Sequence, residues 1–163
     1  MKTLLIMRHA KSSWDDQAVP DRERPLKPRG ERDAPHMGEL LRRESLVPQA
    51  ILASTAVRAR MTADLVAEAC GFEGDIDFQD GLYGAAAEAC LDVLRGLPDA
   101  VQTALLVAHN PGLEELVTDL TGENEHLGTS TIAHIELDIQ HWSDLADETE
   151  GRLKAMWRPR ETT

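Results

Sequence analysis

Two stretches, Thr3–Met7 and Thr103–Ala108, are apolar along nearly their whole length. Strands without polar alternation are those buried on both faces of a parallel sheet. Ala50–Ala53 and Ile76–Phe78 predict two shorter strands. Thr131–Ile139 alternates in part, and Arg152–Trp157 is a shorter candidate that pairs with it across the acidic segment Asp144–Glu150. Helical patterns fill the gaps: Gly30–Arg43, then a helix capped by Ser54 or Thr55 that runs to about Cys70 and stops at Gly71, then Ala85–Leu94 closed by Gly96 and Pro98. Pro111 suits a first helical turn, with the helix ending near Leu120 before Gly122. Val57, Met61, Leu65 and Ala69 lie four apart and predict a buried stripe on the second helix. Lys11–Arg29, with Pro20, Pro25 and Pro28, predicts a long loop, and such loops in compact domains are usually functional or mobile. The alternation of strand and helix predicts an α/β fold, a three-layer α/β/α sandwich on a mostly parallel central sheet.

Composition narrows this picture. The 163 residues fit one domain spanning 1–163. Aromatic residues are only 4%, so the core is expected to be mostly Leu, Val, Ala and Ile. A formal net charge of −12 argues against nucleic acid or an anionic membrane as a general partner, but leaves room for a local basic pocket. The mixed charges of Asp21–Asp33 (Arg22, Arg24, Lys27, Arg29 and Arg32 among acids) read most simply as a solvated loop and helix start. Glu114, Glu115, Asp119, Glu123 and Glu125 read as a solvated helix face and loop. Cys70 and Cys90 lack CxxC spacing and are expected as buried, reduced thiols. The first apolar run is too short for a signal-peptide core, and no stretch approaches a membrane span, so a cytoplasmic address is expected.

The candidate chemistry lies where the two apolar runs end. One ends on Arg8-His9 and the other on His109-Asn110-Pro111. Ligand crevices of open α/β sheets lie at the carboxyl ends of such strands. Imidazole is partly neutral near pH 7 and can attack phosphorus, and a guanidinium beside it can grip phosphoryl oxygens. Arg58 falls in the first turn of the helix after Ser54-Thr55, where a bound anion would be favoured. Taken singly, each residue has a plainer reading: His9 as a hydrogen-bonded strand-end residue, Arg58 as a solvated side chain, His109 as a helix-capping histidine. Arg60 is expected on the surface. A zinc site shared by the two histidines lacks further ligands at recognisable spacing, so no metal is expected.

The ordered set Met7-Arg8-His9-Ala10-Lys11-Ser12, Arg24-Pro25-Leu26, Arg29-Gly30, Ser54-(x)3-Arg58-(x)3-Thr62-Ala63 and Ala108-His109-Asn110-Pro111-Gly112 resembles the histidine phosphatase superfamily, with its phosphoglycerate-mutase-like fold. More narrowly it resembles the small SixA-type phosphohistidine phosphatases of bacteria. The likeness covers nearly the whole chain, including Asp80-Gly-Leu-Tyr83 and the closing Leu153–Pro159. It implies that His9 is the nucleophile and that Arg8, Arg58 and His109 hold the phosphoryl group, without metal or other cofactor. Lys11 and Ser12 rank second as phosphate contacts. The family's usual Arg-His-Gly triplet is Arg-His-Ala here, and the methyl of Ala10 restricts positive φ.

Relatives that cleave phosphate esters carry an acid in the pocket to protonate the leaving alkoxide. The candidate here is Asp80, which also reads as a turn residue before a helix. A phosphorylated imidazole needs less help to leave. The expected function is therefore hydrolysis of protein phosphohistidine through a phosphohistidine enzyme intermediate, with a phosphorylated protein as partner. A small-molecule phosphomonoesterase acting on a small phosphate ester and a non-catalytic phosphate-binding module are the alternatives. The Ser13–Pro28 loop alone is expected to cover the site, with Trp14 either packing that loop or offering contact surface. His36, His126, His134 and His141 are expected as surface or structural residues.

Overall fold

The computed structural model describes residues 1–160. Six strands form one sheet in the order β3-β2-β4-β1-β5-β6: β1 Lys2–Arg8, β2 Ala50–Ser54, β3 Asp77–Gln79, β4 Thr103–Ala108, β5 Ile132–Leu137 and β6 Gly151–Trp157. β3, β2, β4 and β1 run parallel, while β5 is antiparallel to both of its neighbours. Leu4, Leu5, Ile6 and Met7 are all 0% exposed, as an unbroken apolar strand in a covered sheet requires.

Helices α1 (Pro28–Arg43) and α2 (Val57–Cys70) cover one face, and α3 (Ala87–Leu94) and α4 (Gly112–Thr121) cover the other. Alternate residues of β1 serve the two cores: Leu5 and Met7 pack with α1 and α2, Leu4 and Ile6 with α3 and α4. The expected three-layer sandwich is therefore observed. Among the described residues no helix is long and apolar enough to cross a membrane. Cys70 and Cys90 are free and buried.

Three expectations require correction. α1 begins at Pro28 rather than Gly30; proline at the first helical position loses no hydrogen bond. Gly30 is instead the point where α1 meets the segment after β1, since a Cβ there would lie 2.3 Å from the Lys11 carbonyl oxygen. α2 begins after Ala56, and neither Ser54 nor Thr55 caps it by side chain. The buried face of α2 is Arg58, Ala59, Thr62, Ala63, Val66, Ala67 and Cys70, whereas Val57, Met61, Leu65 and Ala69 are only half-buried. Small residues face inward because α1 approaches closely: a Cβ on Gly38 would come within 2.7 Å of the Ala69 Cβ.

The Lys11–Arg29 segment is more ordered than a free loop. Ser12 and Leu26 form an antiparallel bridge, and Asp21–Glu23 is a 3-10 turn. Both ends of the segment are thereby tied together, and its middle is carried toward the end of β2.

Candidate active site

Parallel pairing sets the site. Arg8 of β1 lies opposite Ala108 of β4, so His9 and His109 emerge side by side at the carboxyl edge of the sheet. Their ring centroids are 5.1 Å apart. The N–H of Ser130, a residue at φ 64°, is shared between the carbonyls of Arg8 and His9 and pins the end of β1.

His9 is 6% exposed. Its Nδ1 lies 2.8 Å from the Ala10 carbonyl, which can only accept, so Nδ1 carries the proton and Nε2 keeps its lone pair. Burial, outweighing that bond, and then the neighbouring cations, lower its pKa to about 3. His9 is thus a neutral imidazole at pH 7 with an unprotonated Nε2. Ala10 does not have positive φ, which explains why alanine serves where the family has glycine. Its N–H donates to Thr62 Oγ1 at 2.9 Å, and Thr62 donates in turn to the Arg58 carbonyl at 2.6 Å. One hydroxyl thus couples the segment after the nucleophile to the helix that carries Arg58.

His109 Nε2 lies 2.7 Å from Ser54 Oγ. Ser54 Oγ also accepts the Ala56 N–H, and with one acceptor site and its own hydrogen left it can either donate to His109 Nε2 or accept from it. His109 Nδ1 is buried and has no partner among the described residues, and an unpaired buried polar atom costs about 1–3 kcal/mol unless a ligand satisfies it. Burial and then Arg58 lower the pKa of His109 to about 4.

Arg8 reaches the Leu127 carbonyl through Nη1 at 3.3 Å, while its Nε is buried without a partner. Glu114 holds this loop by accepting the Leu127 N–H at 2.8 Å, and its charge favours the Arg8 cation. The expectation of a wholly solvated acidic face fails at Glu114 for that reason. Arg58 is 9% exposed at the second position of α2, whose start has no side-chain cap. Arg60 is exposed and lies over the Phe78 ring.

The sequence reading missed Asp21. Its carboxylate accepts from Tyr83 Oη at 2.7 Å and from Arg58 Nη2 at 3.1 Å, and its carbonyl accepts from Arg58 Nη1 at 2.7 Å. The Tyr83 bond, and then Arg58, hold its carboxyl below the usual range. A lone aspartate in a mixed-charge loop carried no signal. Tyr83 meets the His109 ring edge-on at 5.7 Å and walls that side.

Asp80 stands differently from the expected acid. It is fully exposed, accepts from Thr55 Oγ1 at 2.7 Å and pairs with Arg22. Those bonds hold it ionised, so it is a tethering carboxylate rather than a proton reservoir. Ser12 is buried in its bridge with Leu26, and Lys11 lines a cavity beside Arg8. Trp14 is 61% exposed, and one face of its ring packs against Arg24 of the same loop, whose guanidinium lies 3.7 Å from the ring centroid. His126 bonds Glu114 and lines the cavity of Arg8 and Lys11, while His141 bonds Asp99 and His134 stacks on Trp157. No group of three or more His, Cys, Asp or Glu among the described residues is placed to hold a metal ion.

The model of the histidine phosphatase superfamily (branch 1) matches residues 4–85. An uncharacterised protein of Mycobacterium tuberculosis is 34% identical over 150 residues, covering 85% of this chain and 91% of that protein. The structure described as "putative phosphohistidine phosphatase SixA" from Nakamurella multipartitia superposes with a TM-score of 0.84 at 27% identity, over 97% of this chain and 96% of that one. Its Agrobacterium tumefaciens counterpart gives 0.82 at 28% identity, over 97% and 98%. The chain belongs to the histidine phosphatase superfamily, is a phosphatase, and has the phosphoglycerate-mutase-like fold of the SixA-type members.

Proposed function

We propose that this phosphatase hydrolyses phosphohistidine on proteins, with His9 Nε2 as the nucleophile and Arg8, Arg58 and His109 as the groups that hold the transferring phosphoryl. The observation that carries the reading is the bond from His9 Nδ1 to the Ala10 carbonyl, which leaves Nε2 bare beside a second imidazole whose Nδ1 has no partner. Nε2 attacks phosphorus in line, and the N–P bond of the substrate breaks. The departing imidazole leaves neutral when its distal nitrogen is protonated. Water then attacks phosphorus, the bond to Nε2 breaks, and both water protons remain on the released dihydrogen phosphate. His9 keeps its Nδ1 proton throughout. Two guanidiniums supply fixed positive charge where the equatorial oxygens gather negative charge, and the neutral His109 imidazole, with its proton on Nδ1, donates a hydrogen bond there.

Two features support a phosphohistidine rather than an ester. Asp21, which pairs with Arg58, and Asp80, the candidate acid of the sequence, are both held ionised, so neither is set to protonate an alkoxide. Trp14 stands exposed on the loop that folds over the site, as a surface for a protein substrate requires. The test is a comparison of a phosphohistidine carrier protein with a panel of phosphate esters, with rapid quenching to trap the enzyme. Preference for the carrier, and an acid-labile, alkali-stable label lost in His9→Ala, are expected. Label on Ser or Asp, or preference for an ester, overturns the reading.

A further inference from the structure

Arg8 also lines a cavity of about 360 Å³ that none of His9, Arg58 and His109 lines. Five cationic side chains line it, Arg8, Lys11, Arg29, Arg158 and Arg160, and no Asp or Glu does. This is unexpected in a chain of net charge −12. The cations come from four separate places: the end of β1, the segment after it, the start of α1 and the segment after β6. A solvated face of one helix would not gather them.

Their neutralisation is partial. Arg29 meets Asp33 at 3.5 Å and Arg158 meets Glu125 at 3.5 Å, both loose contacts. No ion pair reaches Lys11 or Arg160 among the described residues. Arg8 Nε is buried without a hydrogen-bond partner. Arg29 is the second residue of a 16-residue helix whose start has no side-chain cap, so the helix dipole adds to the positive potential. Cations gathered round one cavity, with only loose carboxylate contacts, favour an anion drawn in among them, and guanidiniums beside a helix start add to that preference.

We propose that this cavity is a second anion subsite, which takes a carboxylate or phosphate carried by the substrate alongside its transferable phosphoryl group. Arg8 belongs to both subsites and couples them. The proposal rests on the reading that Arg8 and His9 receive the phosphoryl. It narrows the substrate to molecules with two anionic groups: a protein with acidic side chains next to its phosphohistidine, or a compact polyphosphorylated compound.

The test uses the full chain and the double variant Arg158→Gln/Arg160→Gln, which leaves the groups around His9 intact. Binding of inorganic phosphate and of tripolyphosphate is measured by calorimetry, and hydrolysis is measured on phosphohistidine peptides flanked by Asp or by Ala. Expected in the unaltered protein is a tenfold or greater preference for tripolyphosphate over phosphate, or for the Asp-flanked over the Ala-flanked peptide in KM. That preference should fall at least fivefold in the variant, with phosphate affinity and kcat unchanged. A gain confined to tripolyphosphate assigns the compact compound, and one confined to the peptide assigns the protein. Absence of either preference, or its survival in the variant, overturns the subsite even if turnover is normal. Loss of phosphohistidine turnover and of phosphate binding in the unaltered protein would instead overturn the reading of the main site.

Discussion

The carboxylate of Asp21 lies 3.1 Å from the guanidinium of Arg58 and receives the Tyr83 hydroxyl at 2.7 Å. An anion that binds Arg58 therefore meets a negative neighbour already in place. Asp21→Asn keeps the shape and removes that charge. Because the Asp21 side chain is 49% exposed, the effect is that of a screened pair, up to about 1 kcal/mol. Inorganic phosphate should bind up to about fivefold more tightly to the variant by calorimetry. Weaker binding would show that Asp21 orients Arg58 more than it competes for it.

Arg58→Ala removes one of the two guanidiniums. By analogy with loss of a single oxyanion donor, kcat should fall roughly 100- to 1,000-fold, about 3–4 kcal/mol, with a melting temperature close to that of the parent. A fall of tenfold or less would mean that Arg58 does not grip the phosphoryl in the transition state.

Thr62 is a positioning residue. Thr62→Val conserves shape but leaves the buried Ala10 N–H without its acceptor, at a cost of about 1–3 kcal/mol. Urea unfolding should show that loss, and kcat should fall while KM changes little, because the geometry of His9 rather than affinity is disturbed. Thr62→Ser, which restores the hydroxyl, should recover most of kcat. A Ser variant no better than Val would assign the residue to packing alone.

Both site histidines have folded-state pKa values, about 3 and about 4, below the ordinary value of 6.5. The unfolded chain therefore binds more protons than the folded one as pH falls below about 6.5. Their contribution to stability is complete above that pH and is lost progressively, down to about pH 4 for His109 and about pH 3 for His9. The slope is about 1 kcal/mol per pH unit for each histidine. Urea unfolding between pH 7 and pH 5 should show it, and His9→Asn should make it shallower. Saturating phosphate should raise both imidazole pKa values, as an NMR titration would show, since an adjacent anion favours imidazolium.

Much of this molecule was legible in the order of its residues, for identifiable reasons. β1 and β4 could be located because a strand covered on both faces has no polar positions to blur its limits, and the histidines that follow them inherit a defined edge of the sheet. The inward face of α2 was not legible. Hydrophobic periodicity gives weight to Met61 and Leu65, but a helix drawn close to a neighbour buries Ala59 and Ala63 and pushes larger side chains to the flanks. Asp21 was hidden for another reason. Its role depends on a loop folding back toward Arg58 and Tyr83, 37 and 62 residues away, and mixed charge along a loop carries no trace of that path. Asp80 shows the converse: a position in a familiar motif does not say whether a carboxyl will be protonated, because Thr55 and Arg22 decide that locally.

The placement of β1 between β4 and β5 has a consequence for biosynthesis. The strand that delivers His9 leaves the ribosome long before either hydrogen-bonding neighbour; β5 ends at Leu137. At ordinary translation speeds that interval is on the order of ten seconds. Throughout it a wholly apolar strand has no permanent partner, which makes the nascent chain a natural client for a holding chaperone. Competence should arrive as a late, single event, and chains cut short before β4 should carry the nucleophile yet turn nothing over.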